Sequence, residues 1–266
     1  MELIKKLRER TGAGMVDCQK ALKEANNDLD LAVEILRKKG IAKAAKRGDR
    51  ETNEGVIKVA INDAKNEAYI IELNSETDFV SRNEKFQEMA EAILENIKTV
   101  KPENLEALLA SQMNGVAVKD ALDNLSGTIG EKMEIKDFAI LKGETVGAYS
   151  HLGGKIGVLI ALDQPGKDEL AYELCMQIAA ASPKYLVPSE VKTEDLEKEK
   201  EIYKEQLAKE GKPAEMLEKI VLGKMGKYYS EVCLLEQEYI KDDKKKVKEI
   251  LGGVNVLKFI RFTLSN

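Results

Sequence analysis

The sequence predicts an α+β protein: a three-helix head, two related units of antiparallel sheet and helix, and a projecting antiparallel helical hairpin. Three observations predict it. Apolar residues recur at helical spacing through roughly the first forty positions. Two later stretches each open with an alternating hairpin and continue as a helix, the segregated pattern of an α+β fold. A long, highly charged helical pair interrupts the second of them. The resulting boundaries are residues 1–41 for the head, 42–53 for a linker and 54–142 for the first core unit. Residues 143–187 and 229–266 form the second unit, and 188–228 the arm.

In the head, Leu3, Leu7 and Ile4 line one face of a first helix, which Thr11-Gly12-Ala13-Gly14 breaks. Cys18, Ala21, Leu22 and Ala25 stand at i, i+3, i+4 and i+7 on a second. Asn26-Asn27 makes a turn, and Asp28 is placed to cap a third helix through Leu29, Ala32, Val33 and Leu36. Lys38, Lys39 and Gly40 read as its cationic last turn and glycine stop. A bundle this small leaves apolar surface open and suits docking. Residues 42–53, basic and lightly apolar, read as the linker.

The first core unit opens with Ile57, Val59 and Ile61 alternating, a turn through Asn62-Asp63 to Asn66, and Tyr69, Ile71 and Leu73 alternating back. A helix from about Asn83 aligns Phe86, Met89, Ala90, Ile93 and Ile97. Helical stretches follow near 104–113 and 118–129, and a strand near 135–141 closes the unit. The second unit repeats the plan, with a hairpin of 146–151 and 156–162 through Gly153-Gly154, then a helix over 168–181 that Pro183 stops. The arm takes residues 189–210 as a charged helix bearing Leu196, Tyr203 and Leu207. Gly211-Lys212-Pro213 turns it into a second helix with Met216, Ile220 and Met225. A helix near 245–251 and a strand over 254–264 end the chain.

Composition excludes several classes. No run of 18 apolar residues exists to span a membrane. The opening MELIKKLRER lacks the apolar stretch of a signal peptide, so the expected location is cytoplasmic. Cys18, Cys175 and Cys233 stand singly with no CxxC, which argues for buried free thiols over a disulfide or zinc site. Residues 1–50 carry 13 Lys and Arg against 8 Asp and Glu, a net of +5, leaving −10 on the rest of a chain whose net is −5. A basic head on an acidic body suits an acidic partner. The aromatic-interleaved pattern of an RNA-binding sheet is absent, so a protein partner is expected and direct nucleic-acid binding is not.

One histidine, His151, leaves no room for a triad or a histidine metal site. It sits at a hairpin turn, as a surface histidine or a partner contact. Gly153-Gly154-Lys155-Ile156-Gly157 precedes a strand, whereas a phosphate loop follows one and opens a helix, and no GxxxxGK[ST] occurs. No cofactor, metal or enzymatic constellation is expected; paired acids such as Glu72 with Glu76 read as solvated faces. The segment Ser75-Glu76-Thr77-Asp78-Phe79-Val80 has two readings. It is either a capping turn with Asp78 or Asn83 as cap and Phe79 in the core, or a loop that holds an Asp-Phe wedge out. Exposure forgoes roughly 1.5–3 kcal/mol of burial and so needs a reason.

Two segments carry a resemblance. The first is Leu7-Arg8-Glu9-Arg10-Thr11-Gly12-Ala13-Gly14-Met15 with Asp17-Cys18 and Lys20-Ala21-Leu22; the second is Glu72-Leu73-Asn74-Ser75-Glu76-Thr77-Asp78-Phe79-Val80. With Gly154-Lys155-Ile156-Gly157-Val158-Leu159, Ala180-Ala181-Ser182-Pro183 and Leu234-Leu235-Glu236-Gln237, the chain resembles the translation elongation factor Ts family over essentially its full length. The resemblance implies a ubiquitin-associated-like head, two α+β subdomains and a coiled-coil arm. It implies a guanine nucleotide exchange factor, not an enzyme, that binds elongation factor Tu in its GDP-bound and nucleotide-free forms. Thr77, Asp78, Phe79 and Val80 would disturb the Mg²⁺ and phosphate site of Tu, with Phe79 as the wedge. Arg8, Met15 and Val16 match contact positions on the head, Val16 standing where some members have Met, and His151 is a contact of the second core unit.

The resemblance has departures. Glu238-Tyr239 stands where the family more usually has Pro-Phe, and the chain's end at Ser265-Asn266 implies that a further C-terminal helical module of some members is missing. The exposed arm and the sheet face are each able to support a homodimer. The competing reading is an adaptor or scaffold whose core merely presents the head and arm.

Overall fold

The computed structural model describes residues 1–45, 47–209 and 214–264. The head contains α1 (Glu2–Thr11), α2 (Met15–Glu24) and α3 (Leu29–Ala45). Leu7, Cys18, Ala21, Leu22, Ala25 and Ala32 form its core. Gly12 ends α1 in the left-handed region, φ 67°, where its N–H reaches Arg8 O at 2.7 Å. Asn26 and Asn27 turn the chain at φ 50° and 66°. Asp28 Oδ1 then accepts the N–H groups of Asp30 and Leu31 at 2.9 and 3.0 Å, the N-cap arrangement.

Gly40 does not stop α3. The helix runs on to Ala45, into the segment read as linker. The glycine serves a crossing instead: a Cβ on Gly127 would lie 2.5 Å from Gly40 Cα. Two glycines therefore let α3 approach a core helix backbone to backbone. Arg37 and Asp120 form an ion pair beside the crossing.

The first core unit is β1 (Glu54–Ile61), β2 (Glu67–Ser75), the single turn α4 (Asp78–Ser81), α5 (Glu84–Val100) and α6 (Leu105–Ala110). It continues with the two-residue strands β3 (Gln112–Met113) and β4 (Val116–Ala117), then α7 (Val118–Ile129) and β5 (Met133–Lys142). The stretch expected to be helical to position 113 ends at Ala110. Asn114 and Gly115, at φ 54° and 78°, turn β3 into β4, the conformation an Asn-Gly hairpin requires. The sheet order is β1-β2-β5, antiparallel throughout, with a bulge between Glu72 and Leu73.

The second unit is β6 (Thr145–His151), β7 (Ile156–Leu162) and α8 (Asp168–Ala181). The arm follows as α9 (Thr193–Lys209) and α10 (Ala214–Val232). The chain returns through β8 (Glu238–Tyr239), β9 (Asp242–Lys246), α11 (Val247–Ile250) and β10 (Val256–Thr263). The expected helix over 245–251 thus shrinks to four residues, because Lys245 and Lys246 belong to a hairpin strand. The sheet order β10-β7-β6 is antiparallel and repeats the first sheet's plan, with the second strand central.

The two sheets pack face to face through Ile57, Ala68, Ile70, Leu141, Val146, Leu159 and Ala161. Helices α5 to α7 cover the outer face of the first around Phe86, Ile93 and Ile97, and α8 covers the second around Leu174 and Ile178. The core is therefore four layers, helix–sheet–sheet–helix. This explains why all nine residues of β2 are buried, not only Tyr69, Ile71 and Leu73: the other face meets the second sheet. Gly157 belongs to that seam, since a Cβ there would lie 2.3 Å from Ile57 Cγ2. Gly154, at φ 92°, passes its carbonyl to Ile57 N at 2.7 Å.

In the arm, Leu207, Val221 and Met225 pack with Tyr203, Ile220, Leu196 and Tyr228, which pairs the two helices antiparallel. Lys224 Nζ stands 5.1 Å from the Tyr203 ring centroid. The Glu210 end of the first arm helix, the Gly211-Lys212-Pro213 turn, the Met216 side chain, Lys46 of the linker, and Ser265 and Asn266 lie outside the described residues. Cys18, Cys175 and Cys233 are buried and free.

Candidate functional site

The loop between β2 and α5 is built from inside out. Ser75 is fully buried, and its Oγ donates to Thr77 O at 3.0 Å. Thr77 is extended, φ −129° and ψ 158°, and stands at the N-terminus of the one-turn helix α4. Val80 and Ser81 face inward at 7% exposure each. Adjacent helical residues point about 100° apart. With 80 and 81 turned to the core, 79 has to face solvent, and Phe79 is 85% exposed. The capping function belongs to Asn83, whose Oδ1 accepts Lys85 N at 3.0 Å to start α5.

Phe79 is thus not in the core, as the capping-turn reading had it. Val80, grouped with the wedge on sequence, does not reach out: it packs in the first unit's core with Phe86 and anchors the turn. Asp78, half-buried, pairs with Arg82 at 3.0 Å.

Polar groups sequence reasoning missed brace this turn. Glu131 Oε2 and Oε1 accept the N–H and hydroxyl of Thr77 at 3.0 and 2.7 Å. Glu76 accepts Lys132 N and pairs with Arg50 at 3.0 Å. Burial pushes the Glu76 carboxyl up, but the Lys132 N–H and the Arg50 guanidinium outweigh it and hold it below the ordinary carboxylate range. The one sequence signal for Glu131 was Gly130, a helix-ending glycine at φ 100°, which returns the chain toward the loop.

Arg8, Met15 and Val16 are exposed on the head, the last two at 53% and 61%. Arg8 and Met15 line one groove that also includes Lys85, near the start of α5, the helix that follows the Phe79 turn. The head therefore abuts the N-terminus of α5. His151 stands apart, exposed as the last residue of β6 and paired with Ile156 of β7 across the hairpin. Its Nδ1 and Tyr149 Oη are hydrogen-bonded at 2.9 Å, and Tyr172 meets the Tyr149 ring edge-on at 5.6 Å between centroids. Leu152, the next residue along, is exposed at φ 52°, and the Tyr149, His151 and Tyr172 group is one that the sequence reading did not assemble. Among the described residues no cluster suited to a metal ion occurs, and no helix is long and apolar enough to cross a membrane.

Residues 76–266 match the family profile described as Elongation factor TS. Elongation factor Ts of Clostridium botulinum (strain Eklund 17B / Type B) is 44% identical over 275 residues, covering 97% of this chain and 90% of that protein. Elongation factor Ts of Deinococcus deserti (strain VCD115) is 44% identical over 265 residues, covering 99% of each chain.

Proposed function

The chain belongs to the elongation factor Ts family, and on that footing we propose that it is a guanine nucleotide exchange factor for elongation factor Tu. It binds Tu in GDP-bound and nucleotide-free forms in the cytoplasm, where translation runs. It disturbs the Mg²⁺ and phosphate site and speeds GDP release so that GTP can rebind. It performs no bond chemistry and is not an enzyme.

The observation that carries this reading is Phe79, 85% exposed on a braced turn. Leaving a phenylalanine in water forgoes roughly 1.5–3 kcal/mol of burial, a cost that a binding role accounts for. Magnesium and phosphate contacts provide much of a nucleotide's hold in a GTPase. An aromatic ring pushed beside them favours a conformation of Tu that holds nucleotide poorly. The effect is reciprocal: the factor by which this protein weakens GDP is the factor by which GDP weakens this protein. Arg8, Met15 and Val16 supply a head contact, and His151 with its aromatic neighbours a distal one. The arm and the sheet face are candidates for a homodimer contact.

Release of fluorescent GDP from Tu tests the proposal. Wild-type protein should accelerate it, and Phe79→Ala should remove most of the acceleration while changing stability by less than about 0.5 kcal/mol, as for an exposed site. The adaptor reading predicts no acceleration by either protein, and that result would replace the exchange reading.

A further inference from the structure

We propose that Glu131 is a positioning residue for exchange: its carboxylate holds the wedge turn so that Phe79 meets the partner already oriented. The inference rests on the wedge reading and deepens it. Thr77 is the point where the chain leaves β2 and enters α4. Its side chain makes no capping bond within that turn. Both of its donors go to one carboxylate instead, N–H to Oε2 at 3.0 Å and Oγ1 to Oε1 at 2.7 Å. A two-point grip by a charged acceptor fixes orientation as well as position.

The gripping residue is itself held. Gly130 ends α7 at φ 100°, a backbone state natural only to glycine, and reverses the chain. Ser126 Oγ, on the last turn of α7, donates to Glu131 O at 2.6 Å. Ser126 O in turn accepts Arg47 Nη1 at 3.0 Å, from the connector leading out of the head. Arg50, further along that connector, pairs with Glu76 beside Thr77. The support of the wedge therefore reaches back to the segment that joins head and core.

The physical need is clear from the size of α4. One helical turn has no stability of its own. Its inner side is fixed by Val80, but nothing in the core constrains the 79 side. Without the grip, Thr77 keeps only the bonds to its carbonyl, from Ser75 Oγ and Ser81 N, so the turn that carries Phe79 is held less firmly, and ordering it on contact would subtract from the energy available to displace nucleotide. Thr77 and Glu131 are both half-buried and outside the apolar core, so removing the grip leaves the packing of the unit intact.

The test uses the full chain and fluorescent-GDP release from Tu across a range of factor concentrations. The proteins are wild type, Glu131→Ala, Glu131→Gln, Thr77→Val and the double variant Glu131→Ala with Thr77→Val, with Phe79→Ala as reference. Glu131→Ala and Thr77→Val should each lower the maximal release rate, Glu131→Ala by about tenfold, while the half-maximal concentration moves less than about threefold. The double variant should be no slower than Glu131→Ala, because Thr77→Val removes one of the two bonds that Glu131→Ala removes together. Glu131→Gln, which keeps one carbonyl acceptor, should recover part of the loss. If Phe79→Ala slows release and Glu131→Ala does not, or if the two losses multiply, the positioning role is wrong while the wedge stands. If Phe79→Ala leaves release unchanged, the wedge reading fails and this role with it. Should Glu131→Ala fold poorly, Thr77→Val alone decides: it keeps the side-chain shape, and an unchanged maximal rate overturns the proposal.

Discussion

At the scale of single residues, neighbours in sequence have opposite roles. Phe79 is exposed and Val80 is buried, one position apart. Val80→Ala should therefore lower unfolding stability by about 1–3 kcal/mol, read by urea denaturation, where Phe79→Ala lowers it little. The sequence showed that this segment left a strand and that an aromatic ring in it needed explaining. It did not orient the turn, because a run of four residues sets no periodicity from which an inward face can be read. A second residue-scale prediction concerns Glu67. Hydrogen bonds from Lys101, Tyr69 and Lys142 hold its carboxyl at about 2, below the ordinary value of 4.5. A depressed folded value stabilises the fold above the unfolded value and loses that contribution as pH falls toward 2. Glu67→Gln should be the less stable protein at pH 7, and the gap should close between roughly pH 4.5 and 2 when denaturation midpoints are compared. A gap of constant size across that range would show that the ionised carboxylate contributes nothing.

At the scale of elements, long amphipathic or alternating stretches were legible and short polar ones were not. The helix over Asp168–Ala181 and the strands of both main hairpins lie where their apolar spacing put them. The β8–β9 hairpin was missed because DDKKK offers no alternation. Asn114-Gly115 is a hairpin dipeptide, but it falls between the helical stretches 104–113 and 118–129, and strands of two residues on either side are too short to show alternation. Gly40 was misread for a different reason: a glycine after two lysines is locally a helix stop, and only the partner Gly127, far along the chain, gives it another use. That crossing makes a prediction about the element. Gly127→Ala would place a methyl 2.5 Å from Gly40 Cα, against backbone that has no rotamer to yield. Helix α3 must move off α7, at a cost of about 1–3 kcal/mol. Amide hydrogen exchange should rise in α3 and at Ser126 while the second sheet keeps its protection. Unchanged protection across α3 would show that the crossing tolerates a wider spacing.

At the scale of the whole molecule, the proposed contacts lie on different layers. Phe79 follows the central strand of the first sheet, and His151 ends the edge strand β6 of the second. What fixes their separation is the seam between the sheets, where Gly154 O accepts Ile57 N and Gly157 lies beneath Ile57, Ile70 and Val59. Two contacts on one rigid body bind as a bivalent unit, the second engaging at a high effective concentration set by the first. They need not do the same work. A contact equally good in every state of the partner only tightens binding, whereas one better in the nucleotide-poor state raises the rate. His151→Ala should therefore raise the half-maximal concentration in the GDP-release assay with little change in maximal rate, the reverse of the Phe79→Ala pattern. Gly157→Val separates the two ideas further. Its Cβ alone would lie 2.3 Å from Ile57 Cγ2 and 2.9 Å from Ile70 Cδ1, so the seam has to open, at a cost of about 3 kcal/mol in stability, the upper end for overpacking. With the seam loosened, the effective concentration of the second contact falls, so adding His151→Ala to Gly157→Val should weaken binding less than it does in the wild-type background. Equal weakening in both backgrounds would mean that the distal patch binds independently of the wedge, and that the two sheets merely travel together.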